Sequence, residues 1–118
     1  MPHLTVEYCT ELADDLAPRE LLKALNRTLI ASGLFSATDI KSRAVALDTV
    51  LVGDGAPDRF VHIEVALLSG RSIEVRRKLA EALLASAETV LDETAQRPLQ
   101  VSVEVRELDK ECYAKRVL

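Results

Sequence analysis

Hydrophobic and polar residues alternate at the start of the chain, where residues 3–8 read HLTVEY. Leu4, Val6 and Tyr8 fall on one side of an extended segment, and the polar residues between them fall on the other. This period-two pattern predicts a half-buried strand. Three further stretches have a strand pattern: 40–48, 59–68 and 99–108. Between the second and third strands, the stretch TVLVGDGAPD begins with a short strand-like run and continues as a loop rich in Gly, Asp and Pro.

Apolar residues at helical spacing follow the first strand. They predict a helix over about 17–32, with Pro18 in its first turn and Gly33 as its carboxyl-terminal cap. The apolar stripe of this helix consists of Leu21, Leu22, Leu25 and Leu29.

A second helix is predicted after the third strand. It begins at Ser72-Ile73, with Ser72 as the N-cap, and ends near Arg97-Pro98. Its apolar face consists of Val75, Leu79, Leu83, Ala87 and Val90.

The order of these elements is strand, helix, strand, and then the same again, which indicates two β-α-β units. Right-handed crossovers place both helices on the same face of one four-stranded sheet. We therefore expect a two-layer sandwich of the α/β or α+β class, formed by a single domain over residues 1–118. The other face of the sheet is largely polar, so the pattern alone does not require an oligomer. Its residues include Thr5, Glu7, His62, Glu64, Ser102 and Glu104.

The composition excludes several functional classes. The 118 residues are 48% hydrophobic and carry a formal net charge of −4, whereas a general nucleic-acid binder carries a basic excess. No apolar run approaches the roughly 20 residues that span a bilayer, and no signal peptide is visible. Cys9 and Cys112 do not form a disulfide framework and are interpreted as small buried thiols. We expect a cytoplasmic protein without nucleic-acid or membrane partners.

Few residues offer metal-binding or nucleophilic chemistry. The chain has two histidines and no Cys/His cluster with the spacing of metal ligands. His62 lies beside Glu64 on the same face of a predicted strand and is interpreted as a hydrogen-bonded structural histidine. The Ser-Gly-Arg-Ser run at 69–72 lacks the glycine spacing and the lysine of a phosphate-binding loop.

Pro2 is the unusual residue, because it follows Met1 directly. A small second residue generally permits removal of Met1, which would leave Pro2 with a free secondary amine. Burial in an apolar pocket and nearby positive charge both lower the pKa of an amine, and a lowered pKa is what a general base needs near neutral pH. The alternative interpretation is that Pro2 only begins an edge strand, where its missing N–H is harmless.

Three cations bear on these two interpretations. Lys41 and Arg43 are two residues apart on a predicted strand, so their side chains project from the same face. Arg71 lies between the end of a strand and the start of a helix, where backbone N–H groups attract anions. Together these residues could bind a carboxylate-rich substrate and lower the pKa of Pro2. Each of them could equally belong to a solvated surface.

Four segments carry a resemblance to a known family. They are MPHLTVEY, SGLFSATDIKSRAVALDTVLVGDG, FVHIEVALLSGRSIEVRRKLAE and VSVEVREL. In order and spacing they resemble the 5-carboxymethyl-2-hydroxymuconate isomerases of the tautomerase superfamily. The resemblance implies the β-α-β repeat fold and a homotrimer with active sites near subunit boundaries. It also implies an amino-terminal proline that acts as general base without a metal or organic cofactor.

The resemblance assigns roles to individual residues. Pro2 matches the catalytic proline, and Arg71 in the Gly-Arg-Ser motif matches an arginine that engages a substrate carboxylate. The family motif I-R-S-R reads IKSR at 40–43, so Lys41 stands where the family has a substrate-facing arginine, while Arg43 is kept. Lysine keeps the charge but lacks the two-pronged geometry that suits a carboxylate.

The reaction that the resemblance implies acts on a small polycarboxylate dienol from bacterial breakdown of homoprotocatechuate. Neutral Pro2 would take the proton of the 2-hydroxyl group and return a proton to C5, giving the 2-oxo-3-ene isomer. Lys41, Arg43 and Arg71 would bind the carboxylates and stabilise the spreading negative charge.

Two alternatives remain open at the level of the sequence. The first, motivated by Lys41, is a related tautomerase that acts on a different unsaturated keto acid. Two β-α-β units also describe ferredoxin-like ligand-binding or regulatory modules, which need no catalytic residue. If Met1 is retained, the nitrogen of Pro2 is an amide and cannot act as a base.

Overall fold

The part of the chain that the structure describes folds as one four-stranded sheet with two α-helices. The computed structural model describes residues 1–92 and 98–118. The strands are β1 (His3–Cys9), β2 (Lys41–Leu47), β3 (Arg59–Leu68) and β4 (Leu99–Leu108). The helices are α1 (Pro18–Ala31) and α2 (Ile73–Leu91). Short 3-10 turns cover Thr10–Leu12, Ala37–Asp39 and Lys110–Cys112.

The strands lie in the order β2-β1-β3-β4. Within each β-α-β unit the two strands are parallel neighbours, and the two units meet through the antiparallel pair of β1 and β3. This confirms the predicted α+β fold. It also excludes the ferredoxin-like arrangement, in which the strands of each unit are split apart by another strand.

Both helices cover the same face of the sheet and form one apolar core with it. Leu4 and Val6 of β1 are fully buried, as is Ile63 of β3. The helical residues buried against them are Leu21, Leu25, Leu29, Leu79, Leu83, Ala87 and Leu91. The predicted helical stripes are therefore confirmed in their central positions, while Leu22, Val75 and Val90 at their margins are only half-buried.

The helix boundaries follow from local chemistry. Pro18 is the first residue of α1, where its missing N–H has no partner to lose. Gly33 lies just beyond the end of α1 with a φ angle of 75°, a conformation that glycine adopts without strain. The hydroxyl of Ser72 accepts a hydrogen bond of 3.1 Å from the backbone N–H of Val75 and caps α2, as predicted.

The structure corrects two expectations and leaves a third outside the described residues. Residues 48–58 form turns and bends with no strand, because Val50 and Leu51 of the apolar run have no facing layer and stay exposed. The last helical residue of α2 in the described part of the chain is Leu91, and the predicted end near Arg97-Pro98 falls largely on residues 93–97, which lie outside it. Cys9 is buried as expected, but Cys112 is exposed.

The helix-free face of the sheet carries polar side chains that pair across strands. The Nδ1 atom of His62 lies 2.7 Å from the hydroxyl of Ser102, which confirms it as a hydrogen-bonded histidine. Its acidic neighbour is Glu104, at 3.4 Å, whereas Glu64 pairs with Arg106 at 2.8 Å. None of the described helices is both long enough and apolar enough to cross a membrane.

We expect the Leu25→Ala substitution to lower the free energy of unfolding by about 2–5 kcal/mol, because it leaves a cavity in the core. Leu25 is fully buried on α1, whereas Ile30 on the same helix is 45% exposed. The matched control Ile30→Ala should change the free energy of unfolding by no more than about 0.5 kcal/mol. Urea unfolding at fixed protein concentration measures both, and equal losses would contradict the assignment of the core.

Candidate active site

Four chain segments meet at one end of the sheet because of the strand directions. Strands β1 and β2 begin at this end, and β3 and β4, which run the opposite way, finish there. The carbonyl of Pro2 accepts a 3.1 Å hydrogen bond from the N–H of Lys41, and the N–H of Ser69 donates to the carbonyl of Leu108 at 2.8 Å. The amino terminus, the turn before β2, the loop before α2 and the carboxyl-terminal segment are thus neighbours.

Pro2 is buried at the start of an interior strand. Strand β1 pairs with β2 on one side and with β3 on the other, and His3 already faces Lys41 and Ala66. The alternative that Pro2 begins an edge strand is therefore wrong. A residue at this position lies among other chain segments rather than in open solvent.

A cavity of about 280 Å³ opens beside the amino terminus. Its walls combine apolar side chains, a glycine-containing loop and one guanidinium group. The lining residues are Met1, Phe35, Leu67, Leu68, Ser69, Gly70 and Arg71. Met1, which is bonded to Pro2, therefore shares this cavity with one of the predicted substrate-binding residues.

Arg71 is held in place by the loop that follows α1. Its guanidinium carbon lies 5.2 Å from the centre of the Phe35 ring, a cation-π distance. One of its nitrogens, Nη2, donates a 3.1 Å hydrogen bond to the carbonyl of Leu34. Since guanidinium has five N–H donors, these contacts orient Arg71 and leave donors for an anion in the cavity.

Lys41 and Arg43 lie on the same face of β2, as predicted, but their surroundings differ. The ammonium of Lys41 donates a 2.8 Å hydrogen bond to the carbonyl of Asp39, next to the amino terminus. Arg43 instead donates through Nη1 to the Nδ1 atom of His3 at 2.9 Å. The structure thus brings Pro2, Lys41 and Arg71 to one place and ties Arg43 to the neighbouring histidine.

The carboxyl-terminal segment contributes two residues that the sequence analysis missed. The Nε2 atom of His3 lies 3.1 Å from the hydroxyl oxygen of Tyr113. Because Nδ1 accepts from Arg43, the ring proton of neutral His3 is on Nε2 and is donated to Tyr113. The ammonium of Lys115 donates to a carboxylate oxygen of Asp39 at 2.8 Å.

These missed residues had little local signal. The tail ECYAKRVL has no recognisable motif, and its place at the site follows from the direction of β4. Phe35, the aromatic side of the cavity, lies in a loop whose sequence shows no pattern of burial.

The electrostatic surroundings disfavour a proton on the amino terminus. Burial lowers the pKa of the Met1 amine, and the Lys41 ammonium lowers it further. The Asp39 carboxylate acts in the opposite direction, and Lys115 adds to the lowering. Burial also lowers the pKa of His3, together with the charges of Arg43 and Lys41. An amine in this position can be neutral at a pH where an ordinary amine is protonated.

Taken by itself, the arrangement suits proton transfer on an anionic substrate. A neutral amine can accept a proton, and the cations beside it can hold carboxylates and stabilise negative charge that develops on an oxygen. Apolar side chains in the cavity wall exclude water and strengthen these charge interactions.

Comparison with known proteins identifies the family. Residues 2–117 match the family model described as 5-carboxymethyl-2-hydroxymuconate isomerase. A 5-carboxymethyl-2-hydroxymuconate Delta-isomerase from Escherichia coli is 33% identical over 110 residues, which are 92% of this chain and 87% of that protein.

Solved structures agree with the family match. The crystal structure of a 5-carboxymethyl-2-hydroxymuconate isomerase from Deinococcus radiodurans R1 is similar with a TM-score of 0.87 and 35% identity, covering 98% of this chain and 88% of that one. A fused 4-OT wild-type symmetric trimer shares the fold at a TM-score of 0.74 and 21% identity, with 96% and 90% of the two chains covered. The protein therefore belongs to the 5-carboxymethyl-2-hydroxymuconate isomerase family and is an isomerase.

Proposed function

We propose that this isomerase uses Pro2, freed by removal of Met1, as the general base for a carboxylate-rich 2-hydroxymuconate, most closely 5-carboxymethyl-2-hydroxymuconate. The observation that carries the proposal is the cavity that Met1 lines together with Arg71 and Phe35. Removing Met1 would enlarge this cavity and would place the new amine at its edge.

In the proposed reaction, the neutral amine of Pro2 takes the proton of the 2-hydroxyl group. The electrons move through the conjugated system, the 2-oxo group forms, and a proton is returned to C5 to give the 2-oxo-3-ene isomer. No metal or organic cofactor takes part. The lowered pKa of an amine at this end of the sheet supports the role of Pro2, because only the unprotonated amine can accept a proton.

The proposed substrate-binding residues are Lys41, Arg43 and Arg71. Arg71 is already oriented over the cavity by Phe35 and can form a two-pronged contact with a carboxylate. Lys41 contributes a point charge beside the amine. Arg43 uses one N–H group on His3, and its remaining donors are available for a second carboxylate.

The proposal extends to the domain organisation, the oligomeric state, the cellular compartment and the metabolic role of the enzyme. We propose a single tautomerase-like domain over 1–118 that assembles as a homotrimer in the cytoplasm and acts in aromatic catabolism. The helix-free face of the sheet, on which Val45 is 44% exposed, offers a surface for subunit contact. A homotrimer is also supported by the symmetric 4-OT trimer that shares the fold. The free thiols of Cys9 and Cys112 agree with a reducing compartment.

The intact mass of protein expressed from its native start codon is expected to lack Met1. An amine-directed label that carries a carboxylate should then form one adduct at Pro2 at neutral pH, because a neutral amine reacts where protonated lysines do not. Peptide mapping identifies the labelled residue. Retained Met1, or labelling of Pro2 no faster than of lysines, would contradict the proposed base.

We expect Pro2→Ala to lower kcat/KM on 5-carboxymethyl-2-hydroxymuconate by about 100-fold or more, which is the usual contribution of a general base. Circular dichroism should show an unchanged fold. Pro57→Ala, which removes a proline from an exposed loop, is the matched control and should retain full activity. Wild-type activity in Pro2→Ala would exclude the mechanism.

A second candidate is a tautomerase for a different unsaturated keto acid, because Lys41 replaces the family arginine and is engaged by the carbonyl of Asp39. The Lys41→Arg substitution distinguishes this candidate function from the first one. If the substrate is 5-carboxymethyl-2-hydroxymuconate, kcat/KM should change by no more than about threefold, since the charge is kept. A gain of tenfold or more on that compound would show that the natural substrate differs. Lys78→Arg, on the exposed side of α2, serves as control.

A further inference from the structure

The carboxyl-terminal segment reaches the candidate site through two anchors. After β4 ends at Leu108, the N–H of Lys110 donates to the hydroxyl of Ser69 at 3.2 Å. Further along, Tyr113 contacts His3 at the start of β1, with the two rings in an edge-on arrangement and their centres 6.0 Å apart. The segment therefore runs along the end of the sheet where the site lies, and it places Lys115 beside the turn that precedes β2.

Asp39 is an unfavourable residue for the proposed chemistry. Its carboxylate lies close enough to raise the pKa of the amino terminus, against the effects of burial and of Lys41. A carboxylate at this position would also repel a polycarboxylate substrate. The same side chain is nevertheless adjacent to Lys41, whose ammonium binds the carbonyl of Asp39.

Lys115 neutralises this carboxylate. Its ammonium donates a 2.8 Å hydrogen bond to Oδ1 of Asp39. The hydrogen bond from Lys115 lowers the pKa of the Asp39 carboxyl, and Asp39 in turn raises the pKa of Lys115. Both groups stay charged at neutral pH, so the pair is an ion pair across 76 residues of chain.

We propose that Lys115 is a positioning residue of the active site, which holds the Asp39 carboxylate and thereby keeps the amino-terminal base unprotonated. The proposal rests on the proposed function in one respect, namely that the base is the amine of Pro2. Lys115 acts through Asp39 rather than through contact with the substrate.

The charged groups around the amine come from several neighbouring elements, and one of them is Arg71 of the loop before α2, which lines the same cavity as Met1. Asp39 comes from the turn before β2, Lys41 comes from β2 itself, and Lys115 comes from the carboxyl-terminal segment. The nearby titratable group of β1 is His3, whose Nδ1 is occupied by Arg43. Among these, Asp39 is the group that favours protonation of the amine, and Lys115 is bound to it.

The test measures the pKa of the Pro2 amine by ¹⁵N NMR on protein labelled with ¹⁵N-proline, and kcat/KM against pH in parallel. Lys115→Met should raise the pKa by roughly half a pH unit. Below that pKa, kcat/KM should fall about threefold. The double variant Asp39→Asn/Lys115→Met should return both quantities to the wild-type values, and Lys115→Arg should leave them unchanged.

Arg116→Met is the matched control, because it removes a positive charge from the next residue of the same segment and should shift neither quantity. An unchanged pKa in Lys115→Met would overturn the proposal. A raised KM that Asp39→Asn does not restore would also overturn it, since Lys115 would then contact the substrate directly. If wild-type protein does not turn over the substrate but the amine pKa responds as stated, the positioning role stands and the proposed isomerisation falls.

Discussion

The interior position of β1 between a parallel and an antiparallel partner determines how the rest of the molecule is arranged. Leu4 and Val6 are completely buried under the helices, and a slip of one residue would turn both toward the opposite face. The register of β1 against β2 and β3 is therefore well defined, and so is the position of the residue before it. Pro2 is buried because its strand has a neighbour on each side.

The same strand directions gather the charged groups of the site. Two strands begin at this end of the sheet and two finish there, so residues far apart in the chain become neighbours. Burial and Lys41 lower the pKa of an amine at this position, and Asp39 raises it. The pKa of the amine therefore depends on whether the Asp39 carboxylate is paired, and Lys115 of the carboxyl-terminal segment is its partner.

The hydrophobic pattern of the sequence predicted the secondary structure correctly wherever a segment packs against a second layer. Strands β3 and β4 have the predicted limits, because alternate apolar positions of each strand pack in or against the core under the helices. The run containing Val50 and Leu51 has similar residues but no layer to cover them, and Leu51 is 74% exposed. Hydrophobic composition alone therefore suggested a strand that does not form.

Part of the candidate site was likewise predictable from the sequence, and part of it was not. Lys41 and Arg43 were assigned to one face by the alternation of the strand, and that assignment holds in the structure. Their different surroundings were not predictable from the sequence, since Arg43 donates a hydrogen bond to a histidine of the adjacent strand. The role of each residue in catalysis stays a prediction.

The sequence by itself determined the class of fold, the faces of the strands and helices, and Pro2 and Arg71 as candidates, because periodicity, capping and family resemblance are carried by neighbouring residues. Tertiary structure alone decided that Pro2 begins an interior strand, that Phe35 lies under Arg71, and that Tyr113 reaches His3. The last of these contacts joins residues 110 positions apart. Such contacts depend on the order and direction of strands in the sheet, and these are set by the packing of the whole chain rather than by any local pattern.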